Sequence, residues 1–344
     1  MFKREVMFVL SIDTEEEWNW EAEFPEHNFS VNNVQFLPAF QSFCESLAIR
    51  PTYFIDYPVV DDAQALNQVK ATIKSGKCEV GGHLHPWCNP PYFGKTTEFE
   101  SHVVNLPVAQ VEAKLDRLTN KIQRTLGVTT RSFRTGRWGI NSDIMQLLKS
   151  RGFKVDSSVY PLYHNKHFSC MDAPLTPYWP DINAPNTLGI QRDIMELPVT
   201  VGFNRENFDF WRYISRQFEQ APFTYLRATG LLWQTNIMRK IYLSPELSNV
   251  SDMQSLVDKC IDRGDPVIHM YLHSSSLLDG VTGFYAQEQA FKAMCDAIQA
   301  VVQHMQVKVD VTFVTISECA AILTQRDHLV KTAKPIALGD QKIA

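Results

Sequence analysis

The 344-residue chain lacks the features that mark several classes of protein. It has no Cys-x-x-Cys pair and no run of five Lys or Arg residues, and its formal net charge is −5. This charge argues against a protein that binds nucleic acid. The seven cysteines are odd in number and scattered, which favours reduced thiols over a disulfide framework.

The N-terminal region also lacks an apolar run long enough for a signal-peptide core or a membrane span. Its apolar stretch starts after Lys3 and Arg4 and meets Asp13 within a few residues. We therefore predict a buried strand at 6–12 and expect a cytoplasmic protein. Hydrophobic residues make up 44% of the chain and charged residues 21%, so it can bury a sizeable core.

Short apolar runs alternate with helical patterns along most of the chain. The predicted strands are 6–12, 52–55, a strand that ends at 132–133, 153–156, 267–272 and 311–314. The predicted helices are 36–48, 63–74, 109–126, 142–150, 251–262 and 286–304. Such alternation predicts an α/β fold whose mostly parallel sheet, in a barrel or an open form, is covered by helices.

Residues 158–250 interrupt this alternation. They are rich in Pro, Tyr, Trp and Asn. We predict one domain over residues 1–325 with an insertion at about 158–250, lying at the mouth of the site. Residues 326–344 are polar and are predicted to form a C-terminal tail that frays.

Acidic residues follow the first predicted strand. In extended backbone Asp13 and Glu15 lie on the same side, two residues apart. In α/β folds functional groups gather at the carboxyl ends of strands. The pair therefore suits metal binding or general-base chemistry. A solvated acidic loop or a helix start is the alternative.

A Gly-Gly-His-Leu-His-Pro-Trp string provides the second candidate site, with His83 and His85 at the same two-residue spacing. Both imidazoles of an extended segment can reach one metal ion, and zinc takes imidazole and carboxylate ligands readily. The two preceding glycines allow backbone to approach closely. The string predicts a metal site.

Two arginines follow the next short strand. Arg134 or Arg137 could hold a carboxylate in its ionised form, and Trp138 could form an apolar wall of the site. A glycine-rich turn with an exposed arginine is the alternative.

Two further strand ends carry candidate residues. Asp156 could orient a histidine by a hydrogen bond, or it could cap a helix or a turn. His273 ends an apolar strand, where a catalytic group is expected, whereas His269 lies earlier in that strand and suits a structural role.

Taken in order, these five motifs resemble those of the polysaccharide deacetylases of the NodB-homology class, carbohydrate esterase family 4. The motifs span residues 11–273, and residues 313–318 are similar to that family's final strand. The resemblance covers about residues 5–325. The variants present here are most similar to a subgroup linked to bacterial surface-polysaccharide synthesis.

The resemblance implies a deformed (β/α) barrel of about seven strands that holds one divalent metal ion, expected to be zinc. The family's first motif has two consecutive aspartates, a base and then a metal ligand. Here Thr14 follows Asp13, so Glu15 is the expected ligand beside His83 and His85. The family usually places three residues between its histidines, whereas this chain has only one.

The resemblance also implies the remaining roles. Asp13 is the expected base, and Arg134, preferred to Arg137, keeps it ionised. His273, tuned by Asp156, is the expected general acid that protonates the departing sugar amine. The expected sugar contacts are Trp138 and Trp87, and the expected partner is an N-acetylated sugar or glycan.

Other functions remain open at this stage. The same scaffold hydrolyses other amides, including ring ureides such as allantoin, and peptidoglycan N-acetyl groups. The departures at Thr14 and Leu84 would also suit a relative that binds sugar without cleaving it. Metal content and acetate release separate these possibilities.

Overall fold

The computed structural model describes residues 3–18, 23–218, 237–281 and 289–332, with side chains up to residue 327. Its strands are β1 Glu5–Thr14, β2 Thr52–Ile55, β3 Glu79–Leu84, β4 Ser132–Thr135, β5 Val155–Asp156, β6 Pro180–Asp181, β7 Ala184–Leu188, β8 Met195–Glu196, β9 Val201–Phe203, β10 Lys240–Tyr242, β11 Val267–His273 and β12 Asp310–Phe313. Its α-helices are α1 Leu37–Ser46, α2 Tyr57–Asp61, α3 Ala63–Ile73, α4 Val108–Leu126, α5 Ser142–Ser150, α6 Phe208–Phe218, α7 Val250–Arg263, α8 Ala290–Lys308 and α9 Ile316–Thr332.

Seven parallel strands form the central sheet, in the order β11-β1-β2-β3-β4-β5-β8. They curl into a half-barrel with helices packed around it, and β12 pairs with the first part of β1. The predicted deformed (β/α) barrel is confirmed. Parallel strands joined by helices all end at the same edge, so one rim collects the functional side chains.

The first strand shows how the sequence specifies the two sides of this sheet. Val6, Phe8, Leu10 and Ile12 pack into the larger core between sheet and helices. Met7 and Val9 join the smaller core that fills the curled interior. Because side chains alternate along a strand, Ser11 and Asp13 continue the interior side. Burial on both faces explains why the strand reads as a continuous apolar run.

Most predicted elements have observed counterparts within a few residues, but three features differ. Helix α2, which the prediction omits, begins after Asp56, whose side chain accepts a hydrogen bond from the Val59 N–H. Strand β8, which lies within the predicted insertion at about 158–250, pairs with β5 in the central sheet. Helix α9 runs past the predicted boundary at residue 325 to Thr332, and residues 333–344 lie outside the described chain.

Among the helices of the described chain, none combines the length and the apolar character needed to cross a membrane.

Candidate metal and catalytic site

Strand register brings the predicted site residues to one edge of the sheet. Asp13 is the register partner of His273 on the neighbouring strand, and His83 is the partner of Arg134. Glu15 and His85 follow β1 and β3. All of these side chains are almost entirely buried except that of His273, which is 13% exposed. Leu84 packs into the outer core, so both histidines beside it face the site.

Three of these residues form a compact group of ligand atoms. The Nε2 atoms of His83 and His85 are 3.2 Å apart. One carboxylate oxygen of Glu15 lies 3.3 Å from the first nitrogen and 3.4 Å from the second. A tetrahedral zinc ion with bonds of about 2.0–2.1 Å would separate its ligand atoms by about 3.3–3.4 Å. The spacing therefore fits a tetrahedral zinc centre.

The protons on the two imidazoles also fit a metal. Nδ1 of His83 faces the Arg134 carbonyl at 3.0 Å, so this nitrogen carries a hydrogen and donates it. Nδ1 of His85 faces the Glu16 carboxylate at 3.1 Å and donates likewise. In neutral rings both Nε2 lone pairs then point at one another. Two buried lone pairs at this distance repel unless a cation or a proton lies between them.

Glu16 and Trp87 support His85 from behind. The indole N–H of Trp87 donates to Glu16 at 2.6 Å, and its ring stacks on the His85 ring with centroids 4.3 Å apart. Burial raises the pKa of Glu16, but His85 and a hydrogen bond with Asp56 outweigh it and hold the pKa well below its usual range. A carboxylate behind a metal-binding imidazole fixes its orientation and raises its basicity.

The structure places Trp87, predicted to contact the sugar, at the wall of the pocket. Its ring is only 2% exposed and packs against Trp18 and Phe24, so it offers a sugar little contact area. The sequence shows that an aromatic residue follows the histidines, but it cannot show which way the ring turns.

Glu16, Asp56, His85 and Cys88 also lie close enough to be considered as metal ligands. However, His85 Nδ1 and the Trp87 indole already donate to Glu16. Because Nδ1 of His85 carries the hydrogen that it donates to Glu16, His85 has no lone pair to offer an ion on that side. This group therefore supports His85 from behind.

Asp13 and Arg134 form a buried ion pair. Nη1 of Arg134 donates to Asp13 Oδ1 at 2.6 Å, and the arginine side chain is fully buried. Its guanidinium lies between the rings of Phe54 and Trp138. Burial raises the pKa of Asp13, but Arg134, His83 and His273 outweigh it and hold the pKa below its usual value. Asp13 is therefore ionised at neutral pH.

A turn after β4 separates the two candidate arginines. Arg137 and Trp138 both have φ of 62°, and Gly139 has φ of 83°. This left-handed run carries Arg137 to the rim, where it pairs with Glu98 at 2.8 Å. Trp138 lines the same pocket as Asp13 and His273, with its ring stacked on Tyr160.

Gly136, in the same turn, permits the close approach of two strand ends. A Cβ atom there would lie 2.0 Å from the His85 ring and 2.6 Å from the Leu84 carbonyl oxygen. Only glycine fits, because neither neighbour can withdraw without moving His85.

Glu246 is the carboxylate that holds His273, and sequence reasoning missed it. Its two oxygens accept from the backbone N–H and from Nδ1 of His273, each at 2.9 Å. Burial lowers the pKa of His273. The charge of Glu246 outweighs this effect, with smaller contributions from Glu15 and Asp13, and the pKa is raised to about 10. Nε2 lies 3.8 Å from Asp13 Oδ2. His273 is therefore an imidazolium whose Nε2 edge lies beside Asp13 in the pocket.

Asp156 lies elsewhere, so the role predicted for it does not match the contacts. Its carboxylate accepts from the hydroxyl and the backbone N–H of Ser158, at 2.7 and 3.2 Å. Burial raises the pKa of Asp156, and burial together with Asp156 raises that of Glu196 well above its usual value. Asp156 anchors the loop after β5, and Glu246 replaces it at His273.

Glu98, His102 and His167 form another histidine–carboxylate cluster at the rim. The Asn105 amide nitrogen donates to the Phe99 carbonyl and to His167 Nδ1, at 2.9 and 2.7 Å. Neutral His167 then carries its hydrogen on Nε2, which faces Glu98. Nε2 lies 3.8 Å from Glu98, and because it carries the hydrogen it has no lone pair there for a metal.

No protein-family model and no curated protein matches this sequence. Among solved structures, a protein described as a polysaccharide deacetylase from Mycobacterium smegmatis is similar over 95% of this chain and 92% of its own, with 13% identity and a TM-score of 0.56. A protein described as a glycoside hydrolase/deacetylase from Parabacteroides distasonis is similar over 94% and 72%, with 13% identity and a TM-score of 0.59. At such identities the likeness establishes a shared fold.

Proposed function

We propose that this chain is a metal-dependent carbohydrate N-deacetylase of the NodB-homology class. Its substrate is an N-acetylated sugar or glycan, and its products are acetate and a free amino sugar. The observation that carries the proposal is one pocket that holds three kinds of group: a Glu-His-His ligand set, a carboxylate held by arginine, and an imidazolium held by glutamate. The shared fold of the two similar structures supports it.

Glu15, His83 and His85 would hold the divalent ion, with zinc the best fit to their spacing. When bound, that ion supplies Lewis-acid chemistry, which polarises an amide carbonyl and acidifies a water molecule. Asp13 takes the proton of the attacking water. Its low pKa makes it a weak base, so it accepts a proton only from an acidified water, and Arg134 keeps its orientation fixed.

His273 supplies the proton that the departing amine needs. Hydrolysis of an amide stalls unless the nitrogen is protonated as the C–N bond breaks. The imidazolium persists near neutral pH because Glu246 accepts from Nδ1–H, and Nε2 lies on the side of Asp13. Acid and base thus lie on register-paired residues of adjacent strands.

Trp138 forms an aromatic wall of the pocket. Tyr160 stacks on its ring and the Arg134 guanidinium lies over it, so a sugar would contact the edge of the indole rather than stack on its face. The deacetylation step belongs, in our proposal, to bacterial surface-polysaccharide synthesis. This finer assignment rests on the motif variants around Asp13 and His83 alone.

The test is to measure metal content and acetate release together. The purified chain is stripped with a chelator and reloaded with Zn²⁺ or Co²⁺, and acetate is assayed with N-acetylhexosamines and their oligomers. Asp13→Asn should keep about one ion per chain and lose acetate release. His83→Ala should lose the tightly bound ion. The matched control, His304→Ala, changes a histidine that pairs with Asp258 on helices remote from the site.

Each outcome has a distinct meaning. An ion with acetate release supports the proposal. An ion without acetate from any N-acetyl sugar shifts the function to another amide or to sugar binding without cleavage. No bound ion in the wild type refutes the site.

A further inference from the structure

A buried chain of hydrogen bonds lies behind Arg134, on the side away from Asp13. Nη2 of Arg134 donates to Ser11 Oγ and to Ser157 Oγ, each at 2.9 Å. Ser11 Oγ lies 2.8 Å from Nε2 of His269, and Nδ1 of His269 lies 3.1 Å from the Pro198 carbonyl oxygen. All four side chains are at most 1% exposed, so water cannot replace these partners.

The ends of this chain and the charge of the ring fix the direction of its bonds. A carbonyl oxygen only accepts, so His269 Nδ1 donates to Pro198. Burial and the charge of Arg134 lower the pKa of His269 to about 3, so the ring is neutral and Nε2 carries the lone pair. A guanidinium only donates, so Ser11 Oγ accepts from Arg134 and its own hydrogen points to His269 Nε2.

Ser157 completes the arrangement from the other side. Its hydroxyl donates to the Leu197 carbonyl at 2.7 Å, and its own carbonyl accepts from Arg134 Nε at 3.0 Å. The Ser11–His269 pair and Ser157 therefore use both hydrogens of Nη2 as well as the Nε hydrogen. This leaves the guanidinium one orientation, in which Nη1 meets Asp13.

We propose that Ser11 and His269 are positioning residues of the deacetylase, which act through Arg134 to hold the Asp13 carboxylate in line with the attacking water. This inference rests on the proposed function. A buried guanidinium without the pair would find a new partner by rotating, and Asp13 would turn with it. A displacement of about 1 Å costs on the order of 100-fold in rate.

Two amide substitutions at His269 separate positioning from packing. In His269→Gln the side-chain carbonyl lies near the position of Nε2 and still accepts from Ser11. In His269→Asn the amide lies near the position of Nδ1, keeps the bond to Pro198 and leaves Ser11 without an acceptor. We expect kcat to fall about 10- to 100-fold in His269→Asn with KM within about twofold, and to stay within about threefold of wild type in His269→Gln.

A second measurement reports on Arg134 without activity. In the ¹⁵N-arginine-labelled chain, a fixed guanidinium gives separate, slowly exchanging Nη signals, assigned by their loss in Arg134→Lys. These signals should persist in His269→Gln and be lost in His269→Asn, whereas the remote His304→Asn should change neither signals nor kcat. Thermal melting monitors folding, and Ser11→Ala, a smaller change, repeats the test if His269→Asn does not fold.

The proposal is overturned if His269→Asn or Ser11→Ala keeps both wild-type kcat and the separate Nη signals. It is also overturned if both His269 variants lose kcat equally while the Nη signals stay unchanged. If the wild type releases no acetate, the Nη signals alone decide the positioning role, and the failure belongs to the proposed function.

Discussion

Replacing Glu246 by Gln tests the catalytic-acid assignment most directly. The carboxylate accepts from both the backbone N–H and Nδ1 of His273. The amide of Gln has one acceptor and one donor. Its carbonyl can keep the bond to the backbone N–H, which turns the NH₂ group toward Nδ1. Nδ1 must then give up its hydrogen to accept from that group. The imidazolium is therefore destabilised twice, because it loses the negative charge of Glu246 and the acceptor for Nδ1–H.

The size of the effect follows from the burial of the pair. The His273 side chain is only 13% exposed, and this desolvation by itself lowers its pKa, whereas Glu246 is the main group that raises the pKa to about 10. Loss of an opposite charge at hydrogen-bond distance lowers a pKa by about 1–3 units. An acid must be protonated to act, so the alkaline limb of the rate profile moves to lower pH by the same amount. We expect little loss at about pH 6 and a 10- to 100-fold loss at about pH 9.

The assay is kcat/KM for acetate release between about pH 5 and pH 10, because this ratio reports the pKa values of the free enzyme. Asp156→Asn is the informative control. It removes the carboxylate that the sequence suggested as the partner of His273, but the contacts of that carboxylate are to Ser158 and Glu196. The structure therefore predicts an unmoved alkaline limb in that variant, together with some loss of stability.

Two results would refute this reasoning. One is an alkaline limb that stays in place in Glu246→Gln while the rate falls uniformly, which would make Glu246 a structural residue. The other is a limb that moves in Asp156→Asn and not in Glu246→Gln, which would restore the assignment made from sequence.

Three further predictions concern stability and metal affinity. Glu196 keeps a proton in the fold that the unfolded chain releases, so stability falls as pH rises above the unfolded pKa, by up to about 1.4 kcal/mol per pH unit. Glu196→Gln should therefore raise the unfolding free energy at about pH 8 and have little effect near pH 4, and urea denaturation that shows equal effects at both would contradict this. Lys114 donates to the carbonyls of Pro86, Asn89 and Pro91, so Lys114→Met should lower the unfolding free energy by about 3–5 kcal/mol. A decrease below about 1 kcal/mol would show that water replaces the ammonium group in this loop. Trp87→Phe removes the indole donor to the carboxylate behind His85 and should weaken zinc binding about 10-fold in a chelator competition, whereas an unchanged affinity would leave the ring a packing role only.

The local sequence pattern was sufficient to predict site residues that lie at the ends of strands. The two-residue spacing of Asp13 and Glu15, and of His83 and His85, already implies that each pair faces one side, and the structure shows all four around one pocket. The parallel sheet followed from apolar runs separated by helices. These inferences use only the period of a strand, which the sequence displays directly.

Contacts between residues far apart in the sequence could not be predicted from strand periodicity. Glu246 lies 27 residues before His273, in a segment without regular periodicity, and no local signal marks it as the partner of that ring. The opposite directions of Arg134 and Arg137 depend on two consecutive left-handed residues, a conformation that side chains other than glycine seldom adopt.

The departures from the family pattern become intelligible once the alternation of β1 is known. Thr14 points away from the interior, with its hydroxyl donating to the Ile12 carbonyl, so an aspartate at that position of this strand would face away from the site. Glu15 is the next residue on the side of Asp13, and its longer side chain reaches both imidazoles. The shortened spacing of the histidines has the same explanation. Side chains two residues apart, such as those of His83 and His85, point to one side of an extended backbone, whereas side chains four residues apart share a side in a helical turn. In the proposed site, both departures thus keep the three candidate ligands on extended backbone. The metal content of Glu15→Gln would test whether the three act together.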